Sequence, residues 1–131
     1  MTPIVPEITL TYIAVLAVLY GMLSLVVVAL RGRFDIPYGS GGNQRLLHAV
    51  RAHGNFSEWV PFIGLLVAGL EMSGSPTSHI HALMGALLAA RIFHPIGLYS
   101  QVGTTIYFVG RIIGALTTWV VLLVSAYLIL F

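Results

Sequence analysis

The chain contains no cysteine and no lysine, and these two absences limit its chemistry. Without cysteine it cannot form a disulfide, use a cysteine nucleophile or hold a metal through thiolates. Any thiol chemistry therefore needs a thiol from the substrate. All six side chains with a fixed positive charge are arginines. Because arginine offers a planar fork that binds a carboxylate through two hydrogen bonds, this composition favours anion recognition.

Charge of either sign is scarce. Charged residues make up 8% of the 131 residues and hydrophobic residues 58%, with a mean hydropathy of +0.97. A soluble domain has roughly a quarter of its residues charged. The composition therefore predicts an integral membrane protein, and the length suits a single domain over residues 1–131.

Four long apolar segments predict four helices, at about 8–30, 43–72, 76–98 and 105–131. The first has about 23 residues without a charge, enough to cross a hydrocarbon core of roughly 30 Å. The connectors between the segments are short. We therefore predict an all-α, up-and-down four-helix bundle that passes through the bilayer several times.

The arginines at the helix ends predict the orientation of this bundle. Arg31, Arg33 and Arg45 lie around the first connector, whereas the second connector has no basic residue. Positively charged connectors stay on the cytoplasmic side. We therefore expect the first and third connectors to be cytoplasmic.

A polar stripe lies at the start of the second helix. Its members are spaced 4, 3, 4 and 3 residues apart, which puts them on one helical face; they are Gln44, His48, Arg51, Asn55 and Glu58. A charge facing lipid at the bilayer centre costs at least about 2.5 kcal/mol. The stripe is therefore predicted to face protein or a wet cavity.

Further polar residues are predicted at the same membrane depth. Arg91 and His94 share a face near the end of the third helix, and Tyr107 and Arg111 share one at the start of the fourth. With Arg51, this layer has three arginines. Its excess positive charge favours an anion with more than one carboxylate.

A peptide-like ligand fits such a layer. The three arginines could bind carboxylates, Glu58 could hold an ammonium group, and Asn55 could pair with an amide. The other open interpretation is a polar network in which Arg51 and Glu58 neutralise each other and fix the register between helices.

Three motifs carry a resemblance to a known family. They are the run Arg51-x-x-Gly54-Asn55-x-x-Glu58-x-x-Pro61, the Ala90-Arg91-x-x-His94 group in the third helix, and Arg111 in the fourth. The order of these motifs, the length of the chain and the number of helices resemble those of the MAPEG family, the membrane-associated proteins in eicosanoid and glutathione metabolism. The chain resembles a bacterial-type member.

The resemblance implies a homotrimer in the bilayer, with glutathione bound as co-substrate between subunits near the cytoplasmic side. It also implies transferase, peroxidase or isomerase activity on lipophilic small molecules that enter from the lipid. For a bacterial member we expect the inner membrane. No nucleic-acid partner and no metal site are expected.

Matched by position, the resemblance also implies roles for individual residues. Arg51, Asn55 and Glu58 would hold the glutathione backbone, Arg91 and His94 would add to the pocket, and Arg31 or Arg33 would approach from the first connector. Arg111 would lie near the sulfur, where a guanidinium favours the thiolate and lowers a thiol pKa otherwise near about 8.5. It is the expected catalytic residue.

Two positions depart from the family pattern. Some members have tyrosines where this chain has Leu98 and Ala115. Tyr107, one turn before Arg111, is the candidate replacement. The alternative function is therefore a non-catalytic membrane protein of the same fold that binds lipid or glutathione without turnover. A small multidrug exporter is a poorer match, because the first helix carries no membrane-embedded carboxylate.

Overall fold

The computed structural model describes residues 5–101 and 103–131, and in these residues the chain forms four helices. They are α1 (Glu7–Phe34), α2 (Gln44–Met72), α3 (Thr77–Tyr99) and α4 (Thr105–Leu130). The predicted all-α, four-helix architecture is confirmed. By length and composition, α1, α3 and α4 can each cross a membrane. The remaining helix, α2, has 29 residues and carries the polar stripe.

The helix ends follow local chemistry. α1 continues past the predicted end at residue 30 to Phe34, where Asp35 closes it with a left-handed backbone (φ 52°). α2 begins after Asn43, whose side chain accepts a hydrogen bond from the Leu46 N–H at 3.0 Å. Pro95 does not end α3, which continues to Tyr99.

The core of the bundle lies along α2 and α3. α1 buries every seventh residue against them, namely Thr9, Leu16, Leu23 and Leu30. A strict seven-residue repeat forms a narrow seam between supercoiled helices. α4 packs on α2 and α3 from the other side. Most of the outer surface of α1 and α4 is apolar and exposed, as expected for lipid contact.

The α3 and α4 backbones approach each other closely at glycine. A Cβ atom on Gly110 would lie 2.7 Å from the Cα of Gly97, and one on Gly114 would lie 2.9 Å from the Cβ of His94. Both distances are too short for a real side chain. The Gly110 and Gly114 pair therefore permits the close helix contact that its spacing indicates.

One segment of α4, Val109–Ile113, forms a π-helical turn. In a regular α-helix, residues four apart drift by about 40° around the axis. The wider π turn removes this drift. Gly110, Gly114 and Thr118 therefore all face the core, although each is four residues from the next. π turns of this kind are frequent at functional sites.

The last turn of α2 holds the first turn of α1. The Glu71 carboxylate accepts hydrogen bonds from the backbone N–H groups of Ile8 (2.9 Å) and Thr9 (2.8 Å) and from the Thr9 hydroxyl (2.6 Å). Glu71 thus satisfies two of the free N–H groups at a helix start and places a negative charge at the positive end of the helix dipole. Its role is a helix cap supplied by a neighbouring helix.

Candidate functional site

A cavity of about 490 Å³ lies between α2, α3 and α4, at the end where α2 begins. We call it the arginine cavity. Its volume falls within the roughly 300 to 1,000 Å³ of small-molecule sites. It is lined by Leu47, His48, Arg51, Asn55, His94, Leu98, Tyr107, Arg111 and Ala115.

The arginine cavity brings together five of the eight residues predicted for the site, which are Arg51, Asn55, His94, Tyr107 and Arg111. Two guanidinium groups and two imidazoles line it, and no acidic side chain of the described residues does. The predicted convergence of three helices on one polar layer is therefore present. Its charge suits an anionic ligand.

Arg111 and Tyr107 form a pair on the α4 wall. The Arg111 guanidinium donates a hydrogen bond to the Tyr107 hydroxyl. Its central carbon lies 5.5 Å from the centroid of the Tyr107 ring, within the range of a cation–π contact. Because the hydroxyl oxygen accepts from Arg111, its own proton remains available for a third group.

Arg91 lies behind the cavity wall. The side chain is only 2% exposed. It donates to the Asn55 Oδ1 at 2.6 Å, to the Gly114 carbonyl at 3.2 Å and to the Thr118 hydroxyl. Arg91 thus joins α2, α3 and α4, and it does not line the arginine cavity itself. Arg91 was predicted to add to the pocket directly, whereas the structure places it behind the residues that line the cavity.

Glu58 and Arg31 also lie outside the cavity. Glu58 is exposed, about one turn beyond Asn55 on α2, and it does not line the cavity. Arg31 donates to the carbonyls of Ile36 and Gly39, both at 3.1 Å. It therefore organises the first connector.

Sequence reasoning gave too little weight to His48. The predicted polar stripe includes this residue, but His48 is not among the residues expected to form the site. In the structure it lines the arginine cavity one turn before Arg51. Leu98 and Ala115, the two departures from the family pattern, also line the cavity and form an apolar part of its wall.

The fold and site define a small helical membrane protein with a basic cavity at one end of its bundle. Over residues 9–131 the sequence matches the MAPEG family model, and the chain belongs to this family.

Two curated relatives support the assignment. Both are named inner membrane protein YecN, from Escherichia coli strains K12 and O6:H1. Each is 35% identical over 112 residues, which cover 86% of this chain and 82% of the relative. No solved structure matches the chain.

Proposed function

We propose that the chain is a glutathione-dependent transferase or peroxidase that acts on lipophilic electrophiles. The observation that carries the proposal is the arginine cavity, where Arg51 and Arg111 line one space together with Asn55 and Tyr107. Glutathione has two carboxylates and one ammonium group, so it is a net anion at neutral pH. Membership of the MAPEG family favours glutathione over other peptide-like anions.

The proposed chemistry begins with the glutathione thiol. Arg111 stabilises the thiolate while the proton leaves to solvent, and the Tyr107 hydroxyl donates a hydrogen bond to the sulfur. The sulfur then attacks an electrophilic carbon, forming an S–C bond as the leaving group departs with its electron pair. In peroxide reduction the thiolate instead attacks one oxygen of the peroxide, and the O–O bond breaks to give glutathione sulfenic acid and an alkoxide, which takes up a proton to form the alcohol. A second glutathione thiol then attacks the sulfenic sulfur, forming the disulfide and releasing water.

A lipophilic partner suits the remaining wall of the cavity. Leu47, Leu98 and Ala115 give the polar site an apolar side. A substrate dissolved in the bilayer could place its reactive atom beside the sulfur and keep its apolar part against these residues.

The proposal includes a homotrimer. Glu58 is an exposed carboxylate next to a long apolar stretch of α2, where a charge facing lipid is costly. In a trimer it would face a neighbouring subunit and could hold the ammonium group of a glutathione bound between them. Arg31 or Arg33 would approach the same ligand from a connector.

We also propose the bacterial inner membrane as the location, with the first and third connectors on the cytoplasmic side. The relatives named inner membrane protein YecN support the membrane, and the arginines around the first connector support the orientation. The arginine cavity lies at the end of the bundle where α2 begins, next to the first connector, so this orientation would give it access to cytoplasmic glutathione.

One observation favours a second candidate function. Because Leu98 and Ala115 line the cavity where some MAPEG members have tyrosines, the site has fewer groups that could activate a thiol. A protein that binds glutathione or lipid without turnover is the alternative.

Ultraviolet difference absorbance of the glutathione thiolate separates these functions. The full chain is purified in detergent and mixed with glutathione, beside Arg111→Ala and the control Arg45→Ala, which removes an exposed arginine outside the cavity. We expect a thiolate signal from the parent and the control, and none from Arg111→Ala. Binding without a signal in the parent would favour the non-catalytic alternative. No binding would refute the glutathione-dependent enzyme and leave only lipid binding.

A further inference from the structure

Asn55 lies between the arginine cavity and the buried Arg91. It lines the cavity, and its Oδ1 accepts a hydrogen bond from Arg91 at 2.6 Å. A guanidinium can only donate, so the atom facing Arg91 must be the amide oxygen and not the nitrogen. The Nδ2 amide therefore points away from Arg91. No side chain or carbonyl of residues 5–101 and 103–131 accepts from it.

Arg91 is itself held in place. Its second terminal nitrogen donates to the Gly114 carbonyl at 3.2 Å and to the Thr118 hydroxyl, both on α4. With a side chain only 2% exposed, it cannot turn into the cavity without breaking these bonds. Three helices thus fix the direction in which Arg91 donates to Asn55.

We propose that Arg91 is a positioning residue, which holds Asn55 so that its amide N–H groups donate into the arginine cavity. The proposal rests on the glutathione function proposed above and assigns to Asn55 a ligand acceptor, a carboxylate or carbonyl oxygen. Arg91 itself does not touch the ligand. Without Arg91, the Asn55 amide could turn its oxygen toward the cavity, where it would repel an anion.

The first test is Asn55→Asp, with glutathione binding measured by calorimetry in detergent. The aspartate still accepts from Arg91, now with an added charge, so we expect a melting temperature at or above that of the parent. It has no N–H to donate, so glutathione affinity should fall at least tenfold. Parent-like affinity in Asn55→Asp would overturn the proposal, because it would show that the ligand needs no N–H group from residue 55.

The second test is Arg91→Met, which fills a similar volume but donates nothing. We expect the glutathione affinity of Arg91→Met to fall at least fivefold. Adding Asn55→Asp to Arg91→Met should lower the affinity by a smaller factor than Asn55→Asp does in the parent, because both changes act on one amide. The matched control is Ser125→Ala, which removes a buried α4 hydroxyl that bonds only the Val121 carbonyl of its own helix; its affinity should stay within twofold. Additive losses would contradict the proposal.

A third measurement needs no ligand. In a ¹⁵N-labelled chain, the Asn55 side-chain amide is assigned by its absence in Asn55→Asp. We expect one sharp pair of amide proton signals in the parent and broadened or doubled signals in Arg91→Met. Equal spectra would overturn the positioning role. If the signals differ as expected but the parent does not bind glutathione, the positioning role stands and the proposed function fails.

Discussion

Gly97 of α3 and Gly110 of α4 lie against each other, so that a Cβ atom on Gly110 would stand 2.7 Å from the Cα of Gly97. No side chain fits between the two backbones at this point. The contact holds the start of α4, and with it Tyr107 and Arg111, beside the end of α3. The geometry of the arginine cavity therefore depends on two residues without side chains.

Replacing Gly110 with alanine should push α4 away from α3. We expect Gly110→Ala to lower the free energy of unfolding by about 1–3 kcal/mol, the usual cost of overpacking. Thermal unfolding in detergent measures this. The control is Gly21→Ala in α1, where a Cβ meets no atom within 4 Å, so it should be neutral or slightly stabilising. Equal stability of the two variants would contradict the close contact.

Removing the Glu71 carboxylate should loosen the start of α1. Glu71→Ala leaves the N–H groups of Ile8 and Thr9 without their acceptor, and we expect a loss of about 1–2 kcal/mol by thermal unfolding. Glu71→Gln keeps one acceptor oxygen and should lose less.

Glutathione binding supplies the control for the Glu71 variants. Residues 51 and 71 of α2 are about 30 Å apart along the helix axis, at 1.5 Å per residue. Binding of glutathione by Glu71→Gln should therefore equal that of the parent. A large loss of affinity would show that Glu71 acts on the site and not only on α1.

Tyr107→Phe should separate binding from activation. The variant removes the hydroxyl that accepts from Arg111 and is proposed to donate to the sulfur. We expect glutathione affinity to change less than threefold, while the rate of conjugation falls roughly tenfold, the loss expected when one hydrogen bond worth about 1.4 kcal/mol is removed from the sulfur. Tyr127→Phe, on an exposed part of α4, is the control. An unchanged rate would remove Tyr107 from the mechanism.

The absence of cysteine makes the orientation testable by single substitutions. We expect Tyr38→Cys and Gln101→Cys, in the first and third connectors, to be protected from an impermeant maleimide in intact bacterial spheroplasts and labelled after lysis. Ser78→Cys, exposed at the start of α3, should be labelled without lysis. The reverse pattern would invert the proposed topology.

Much of this architecture could be predicted, because long apolar segments indicate helices and the polar connectors between them indicate where the helices end. The four predicted segments match the helices to within one residue at most ends, and the late end of α1 at Phe34 is the clearest difference. There the charged run from Arg31 continues the helix until Asp35 adopts its left-handed conformation. Nothing in the residue types of that run indicates where the helix stops.

The residues that line the arginine cavity could be predicted better than their arrangement. Spacing identified Arg51, Asn55 and Arg111, because helical periodicity decides which face a residue occupies. Spacing alone could not distinguish Arg91, which lies behind the cavity wall, from the residues that line the cavity. That distinction depends on how three helices pack. The π turn at Val109–Ile113 was also missed, since no residue type in its sequence, Val-Gly-Arg-Ile-Ile, marks such a turn.

The partners of Arg91 have a consequence for the order in which the bundle can be assembled. Asn55 comes from α2, but the Gly114 carbonyl and the Thr118 hydroxyl come from α4, which is synthesised after α3. Until α4 arrives, a buried cation lacks two of its three acceptors, and this intermediate is unfavourable in lipid. Burial of the Arg91 charge therefore depends on the packing of α4 as well as of α2.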